Sequence, residues 1–191
     1  MIKYAIVGNI ASGKSEMEKI LDKHDIVVLD TDTMAHDILM DNPAVAKAFS
    51  EYDVFEYGRL SREKLGKLVF SKTELKTKLE SIVHPLIKEE LESAFNVYED
   101  EDCIFVAVPL LYEAGWENLF DKVVFIKTDD NIRLERLIER NGYTKEYALM
   151  RISSQMPQEE KSVKADYVIE NNSTKEDFKI KVEEFIESIS A

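Results

Sequence analysis

The chain has 191 residues, 45% hydrophobic and 33% charged, and 38 Asp plus Glu against 25 Lys plus Arg leave a formal net charge of −13. That much apolar material excludes intrinsic disorder, and 6 Gly with 4 Pro exclude collagen-like and linker-like classes. The acidity argues against coating nucleic acid or an anionic membrane, no apolar run reaches the length of a membrane span, and the lone Cys103 fits a reducing cytoplasm.

In chain order, Ile2–Val7 is a short apolar run that stops at Gly8, and a helical pattern over Lys14–Lys23 follows. Ile26–Leu29 is a second such run, short, β-branched and ending before Asp30. Helical patterns come next. One runs over Ser61–Phe70 with Ser61 as N-cap, and a longer one over Thr73–Asn96 is interrupted at His84–Pro85, where a proline predicts a kink or restart. Cys103–Val108, closed by Pro109, and Lys122–Lys127 are a third and a fourth strand. A helix over Asn131–Arg140 stops at Asn141–Gly142, another opens at Thr144, Tyr167–Glu170 is a fifth strand, and a helix over Thr174–Ile189 follows. The strand runs are continuous rather than alternating, as strands covered on both faces are. Strands alternating with helices imply a parallel sheet with right-handed crossovers. Between Thr31 and Glu101 the pattern is helix alone, so a helical insertion stands off the sheet there. The expected architecture is a three-layer α/β core with a helical flap and a smaller lid near residues 140–160.

Gly8-Asn9-Ile10-Ala11-Ser12-Gly13-Lys14-Ser15 fits G-x-x-x-x-G-K-[ST] in full, between the first strand and the first helix. The glycines permit torsions closed to residues with a Cβ, so successive N–H groups can turn inward and cradle phosphate oxygens at a helix N-terminus. Lys14 adds a charge for the β/γ-phosphates, and the Ser15 hydroxyl is a ligand for Mg²⁺. Asp30-Thr31-Asp32 closes the second strand at the edge of the sheet that carries ligands in open α/β folds. If that backbone stays extended, both carboxylates face one way and can divide metal ordering and proton acceptance between them. Equally, Asp32 is a cap for a helix starting near Thr33.

Arg133, Arg136 and Arg140 stand at i, i+3 and i+7, a sector of about 60° on a helix whose buried side is expected at Leu134, Leu137 and Ile138. The stripe reads as a clamp for a transferring phosphate or as a solvated face paired with Glu135 and Glu139. His84 precedes a proline in mid-helix and is either a packed residue or a functional one. Glu113, after Pro109-Leu110-Leu111-Tyr112, suits a metal or a substrate hydroxyl, or satisfies a loop backbone. No His/Cys set has metal-ligand spacing, and nothing supports a covalent nucleophile.

From Ile6 to about Asn172 the chain resembles the dephospho-coenzyme A kinase family. The resemblance rests on the phosphate loop, Asp30-Thr31-Asp32, Leu60-x-Arg62-x-x-Leu65, Ile82-Val83-His84-Pro85-Leu86 and Val108-Pro109-Leu110-Leu111-Tyr112-Glu113. Leu134-x-Arg136-Leu137-x-x-Arg140, Arg151-Ile152-x-x-Gln155-Met156-Pro157, Lys161, Ala165-Asp166-Tyr167-Val168-Ile169 and Asn171 complete it. It implies a P-loop nucleoside triphosphate hydrolase/kinase fold with a core at about 1–31, 100–135 and 164–191. An acceptor-binding helical insertion is implied at about 32–99 and a lid at about 136–163. The implied activity is transfer from ATP, with Mg²⁺, to the ribose 3′-hydroxyl of dephospho-coenzyme A, the last step of coenzyme A synthesis.

By the same resemblance Asp32 is the general base, Lys14 and Arg140 act on the transferring phosphate, and Ser15 binds Mg²⁺, with Asp30 reaching the metal through water. Ala11, Ser12, Gly13, Lys14, Ser15, Glu16, Arg136 and Asn171 belong to the ATP site, Asn171 near the adenine, while Asp32, His84 and Glu113 belong to the acceptor pocket. Departures from the family pattern fall at Asn9, Glu16, Arg133 and Asn172–Ser173, and they bear on ATP affinity more than on the reaction. A kinase for another nucleoside, nucleotide or small hydroxylated metabolite, and a non-catalytic ATP sensor, are the competing readings.

Overall fold

The computed structural model describes residues 1–190, the Asp41 side chain excepted. The elements in order are β1 (Ile2–Gly8), α1 (Lys14–Lys23), β2 (Val27–Asp30), α2 (Thr31–Asp41), α3 (Pro43–Ala48), β3 (Phe55–Glu56), β4 (Arg59–Leu60), α4 (Arg62–Ser71) and α5 (Thr73–Val97). They continue with β5 (Cys103–Ala107), β6 (Lys122–Lys127), α6 (Asp130–Asn141), α7 (Lys145–Ser153), α8 (Gln158–Ser162), β7 (Tyr167–Glu170) and α9 (Lys175–Ser190). The chain forms two compact units: Met1–Asp30 joined by the chain from Asp100 onward, and Thr31–Glu99.

In the first unit the five strands make one parallel sheet in the order β2-β5-β1-β6-β7. Tyr4–Val7, Ile104–Ala107 and Val123–Ile126 are buried without a break, which accounts for the continuous apolar runs. On one face Tyr4, Ile6, Phe105, Val124, Ile126 and Ile169 form a core with Met17, Ile20 and Leu21 of α1 and Phe178, Val182, Phe185 and Ile186 of α9. The helical partners recur at i, i+3/i+4 and i+7/i+8, so each helix lays one stripe on the sheet. Tyr4 stacks on Phe105 with ring centroids 4.6 Å apart, and Phe185 meets both edge-on. Because β1 runs between β5 and β6 and the chain leaves it toward β2, its carboxyl end is the switch point where such sheets bind ligands.

In the second unit α5 is the organising helix, with Val83, Ile87, Leu91 and Phe95 buried at intervals of four, and α2, α3 and α4 pack along it. Two expectations are corrected here. The segment is not helix alone, since β3 and β4 form a two-residue antiparallel hairpin. Its turn residues Tyr57 and Gly58 have φ of 50° and 76°, the sign that a tight hairpin turn needs at both positions. Nor does Pro85 restart the helix, for α5 is continuous through it. A proline removes one backbone donor, and the buried stripe on both sides outweighs that loss.

Candidate active site around the phosphate loop

The loop leaves β1 at Gly8 and enters α1 at Lys14. A Cβ on Gly8 would overlap Ser12 Oγ and come within 3.2 Å of Ile126 O, so the close approach itself demands glycine. Gly13, the residue before α1, has φ 106°, and a Cβ there would overlap the Asn171 amide. Ala11 also lies at positive φ, 62°, in a region that costs a residue with a Cβ about 1–2 kcal/mol. Ser12 N–H closes a turn on Asn9 O at 3.0 Å, and the Lys14 ammonium donates to Gly8 O at 2.6 Å, which keeps its charge at the loop.

What holds Ala11 in that conformation is a brace on the loop's outer side. Arg133 Nη1 donates to Ile10 O at 3.4 Å and Arg136 Nη1 to Ala11 O at 3.3 Å. Ser12 O accepts from Asn171 Nδ2 at 2.8 Å and Thr128 Oγ1 at 3.0 Å. Three successive carbonyls are thus engaged from outside. A trans peptide sets its N–H opposite its C=O, so the anchored Ile10 and Ser12 carbonyls turn the Ala11 and Gly13 N–H groups to the other side, away from those donors, where such groups can meet an anion. The brace is itself tied together. Arg136 Nη2 also reaches Asn171 O and Oδ1, both at 3.2 Å, and Arg133 Nη2 pairs with Asp130 at 2.7 Å. Asp130 accepts from Gln158 Nε2 at 2.9 Å, and the Gln158 amide brackets both backbone groups of Thr128. From α7 to α8 the chain adds Gln155, whose Oε1 accepts from Ile10 N–H at 2.8 Å, and Met156, whose carbonyl accepts from Asn9 Nδ2 at 3.0 Å. Ile10 and Ala11 pack against Leu137, Ala148 and Ile152.

The three arginines therefore do not form one stripe. Arg133 is 2% exposed and Arg136 half-buried, while Arg140 is exposed and donates to Asn141 Oδ1 at 3.0 Å. The buried side of α6 is Arg133 and Leu137, and Ile138 is on the outside at 37% exposure, correcting the expected apolar face. The loop carbonyls need donors more than that face needs another aliphatic residue. Burial lowers the Arg136 pKa from its ordinary value, yet an arginine remains cationic. Asn171 is buried, with its amide committed to Ser12 O and Arg136. Three departures from the family pattern are built into these surroundings: Asn9 holds Met156, Arg133 holds Ile10, and Asn172 exchanges hydrogen bonds with Asp129. Glu16 and exposed Ser15 lie in the first turn of α1.

Asp30 is the last residue of β2, in register with Ala107 of β5, which is in register with Ile6 of β1. Its backbone therefore lies two strand spacings, roughly 10 Å, from the strand that feeds the loop. α2 starts at Thr31, not near Thr33, so Asp30 and Asp32 are not related by extended alternation, and Asp32 is an exposed first-turn residue rather than the cap. Asp32 and His84 belong to the second unit. Burial lowers the His84 pKa, opposed by nearby Glu80 and reinforced by Lys88. Glu113, in the first unit after β5, pairs with Lys161 at 2.7 Å. Neither spacing nor composition sets Lys161, Gln158, Gln155 or Thr128 apart as a site residue. Among the described residues no three His, Cys, Asp or Glu side chains form a metal cluster. Ser15 and Asp30 offer only oxygen donors, and that fits Mg²⁺, which keeps water and phosphate oxygens rather than requiring a protein cage.

Residues 2–177 match the family model described as dephospho-CoA kinase. A dephospho-CoA kinase of Lactobacillus johnsonii is 35% identical over 96% of this chain and 96% of its own length, and one of Listeria innocua is 37% identical over 95% and 94%. Among solved structures, TT1252 of Thermus thermophilus is similar with a TM-score of 0.86 at 33% identity, covering 98% of this chain and 97% of its own. The dephospho-CoA kinase of Campylobacter jejuni follows with a TM-score of 0.78 at 31% identity, covering 98% and 96%. A shikimate kinase of Bacteroides thetaiotaomicron, with a TM-score of 0.56 at 12% identity and coverage of 100% and 99%, shares the fold. The phosphate loop alone is common to many kinases, but agreement along nearly the whole chain is not, and the chain belongs to the dephospho-CoA kinase family.

Proposed function

We propose that this protein is a cytoplasmic enzyme that transfers the γ-phosphoryl group of ATP to the ribose 3′-hydroxyl of dephospho-CoA, giving CoA and ADP. The observation that carries this reading is the family match over residues 2–177, which includes the braced phosphate loop and both acidic segments that follow strands. In phosphoryl transfer the protein mainly positions groups and neutralises charge. The inward N–H groups of the loop and the Lys14 ammonium hold the β- and γ-phosphates. Arg136, Asn171, Ala11, Ser12 and Gly13 serve ATP by keeping the loop in shape, with Asn171 near the adenine as the family resemblance implies. Ser15, and Asp30 through water, would hold Mg²⁺, which when bound neutralises charge shared by two phosphates. Asp32 accepts the proton of the 3′-hydroxyl as the new O–P bond forms. His84, in the helical insertion at about 32–99, and Glu113, in the core, each serve the acceptor. Residues of about 136–163 act as a lid that brings Arg140 to the transferring group and excludes water as a competing acceptor.

The test is direct. Purified protein with ATP, Mg²⁺ and dephospho-CoA should give, by mass spectrometry, a product heavier by one phosphate in an amount equal to the ADP formed. Faster ADP release with a nucleoside or another hydroxylated metabolite would reassign the acceptor, and acceptor-independent ATP binding without ADP release would make the protein a sensor.

A further inference from the structure

Lys161, on α8, is fully buried, with its side chain 0% exposed. Its ammonium lies 2.7 Å from Glu113 Oε1 and donates to Pro109 O at 3.4 Å. A buried ion pair is a poor device for stability, because apolar residues of similar volume often serve as well or better. The pair therefore calls for another explanation, and its surroundings supply one. Pro109 and Glu113 bracket the loop that leaves β5 at the ligand-carrying edge of the sheet. That loop is already folded into turns by Leu111 N–H on Val108 O, Ala114 N–H on Leu110 O and Trp116 N–H on Leu111 O. Three residues after Lys161, the Lys164 ammonium sits 5.2 Å from the centre of the Tyr112 ring. The segment carrying α8 thus grips the loop at its start, its middle and its carboxylate. The Glu113 side chain remains 28% exposed, and among the described residues only its Oε1 is engaged.

We propose that Lys161 is a positioning residue for the acceptor. It fixes one Glu113 oxygen and leaves the other to accept a hydrogen bond from a hydroxyl of the acceptor nucleoside. It also cancels a carboxylate charge that would otherwise face an incoming polyphosphate. This role rests on the reading of the chain as a kinase for dephospho-CoA.

The experiment compares wild type, Lys161→Met, Glu113→Gln and the double variant, measuring kcat, KM for dephospho-CoA, ATP affinity by titration calorimetry, and Tm. Lys161→Met should raise the acceptor KM by about 10- to 100-fold, the range of a hydrogen bond to a charged group, while ATP affinity stays within about twofold. In the Glu113→Gln background Lys161→Met should add little, because it acts through the group already changed. Should Lys161→Met not fold, the double variant, which leaves no unpaired buried charge, should fold and match Glu113→Gln in acceptor KM. An unchanged acceptor KM in Lys161→Met, equal losses of ATP affinity and acceptor KM, or a full additional loss in the double variant would each overturn the positioning role. A wild-type chain that releases no ADP with dephospho-CoA would instead overturn the reading on which it rests.

Discussion

Replacing Arg136 by Met keeps much of the side chain's volume while removing its bonds to Ala11 O and to Asn171 O and Oδ1, at 3.3, 3.2 and 3.2 Å. A hydrogen bond to a charged group contributes about 1.5–3 kcal/mol, and three long bonds from one half-buried group are not additive, so about 2 kcal/mol is the working figure for the whole set. That is comparable to the cost of about 1–2 kcal/mol of holding Ala11 at positive φ, so without the brace the loop's phosphate-binding conformation is no longer favoured. The loss falls on binding, because the free protein must restore that conformation before ATP enters. ATP affinity, by titration calorimetry, should weaken by about 30-fold, the equivalent of 2 kcal/mol. Adding Ala11→Gly should recover part of it, since glycine occupies positive φ without the steric cost. If Arg136→Met leaves ATP affinity unchanged and lowers kcat alone, Arg136 touches the transferring phosphate and the brace is not its role. If Ala11→Gly gives no recovery, strain at Ala11 is not what the arginine offsets.

Asp32→Asn should lower kcat by about 10²- to 10⁴-fold, the span of general-base catalysis, with ATP affinity intact, and equal losses in both would make its role structural. Arg140→Ala should cost about 10³-fold in kcat, as loss of an arginine finger does, with no measurable change in Tm, since among the described residues the exposed side chain bonds only neighbouring Asn141. An unchanged rate would remove Arg140 from the mechanism. Gly13→Ala should abolish ATP binding, because the new Cβ meets the Asn171 amide at a φ of 106°, and retained binding would show that the loop can re-form around it. Burial first, then nearby Glu117, Asp166 and Glu113, push the Tyr112 phenol up to about 12 from its ordinary value of 10.0. The unfolded chain then loses that proton before the folded one does. The contribution is complete below about pH 10 and fades as pH climbs toward 12, so Tyr112→Phe should flatten the fall of the urea midpoint between pH 9 and pH 11. An equally steep fall in the variant would count against it.

The sheet was legible because its three inner strands are buried on both faces and show as apolar runs, and the phosphate loop because its chemistry lies in eight consecutive residues. The brace was not. Arg133 and Arg136 fall on a helical period that suits a surface stripe equally well, and only the tertiary position of the Ile10 and Ala11 carbonyls decides that they turn inward. Lys161 is hidden for the same reason: a lysine reads as exposed until its partner Glu113, distant in the chain, is placed beside it. The β3–β4 hairpin escaped because strands of two residues carry no alternation and Tyr57–Gly58 is a weaker turn signal than Asn–Gly. The start of α2 was misplaced because Asp30-Thr31-Asp32 offers three polar residues in a row, with nothing local to say which ends the strand.

The place of β1 in the sheet also sets an order of events during synthesis. Its hydrogen-bonding partners on one side are Cys103–Ala107 and on the other Lys122–Ile126. β1 thus stays without these partners until residues 103–126 have been made, whereas Thr31–Glu99 is contiguous and can collapse in the interval. A truncated nascent product ending before the β6 stretch would carry an intact nucleotide-binding motif in its letters and no nucleotide-binding loop in space.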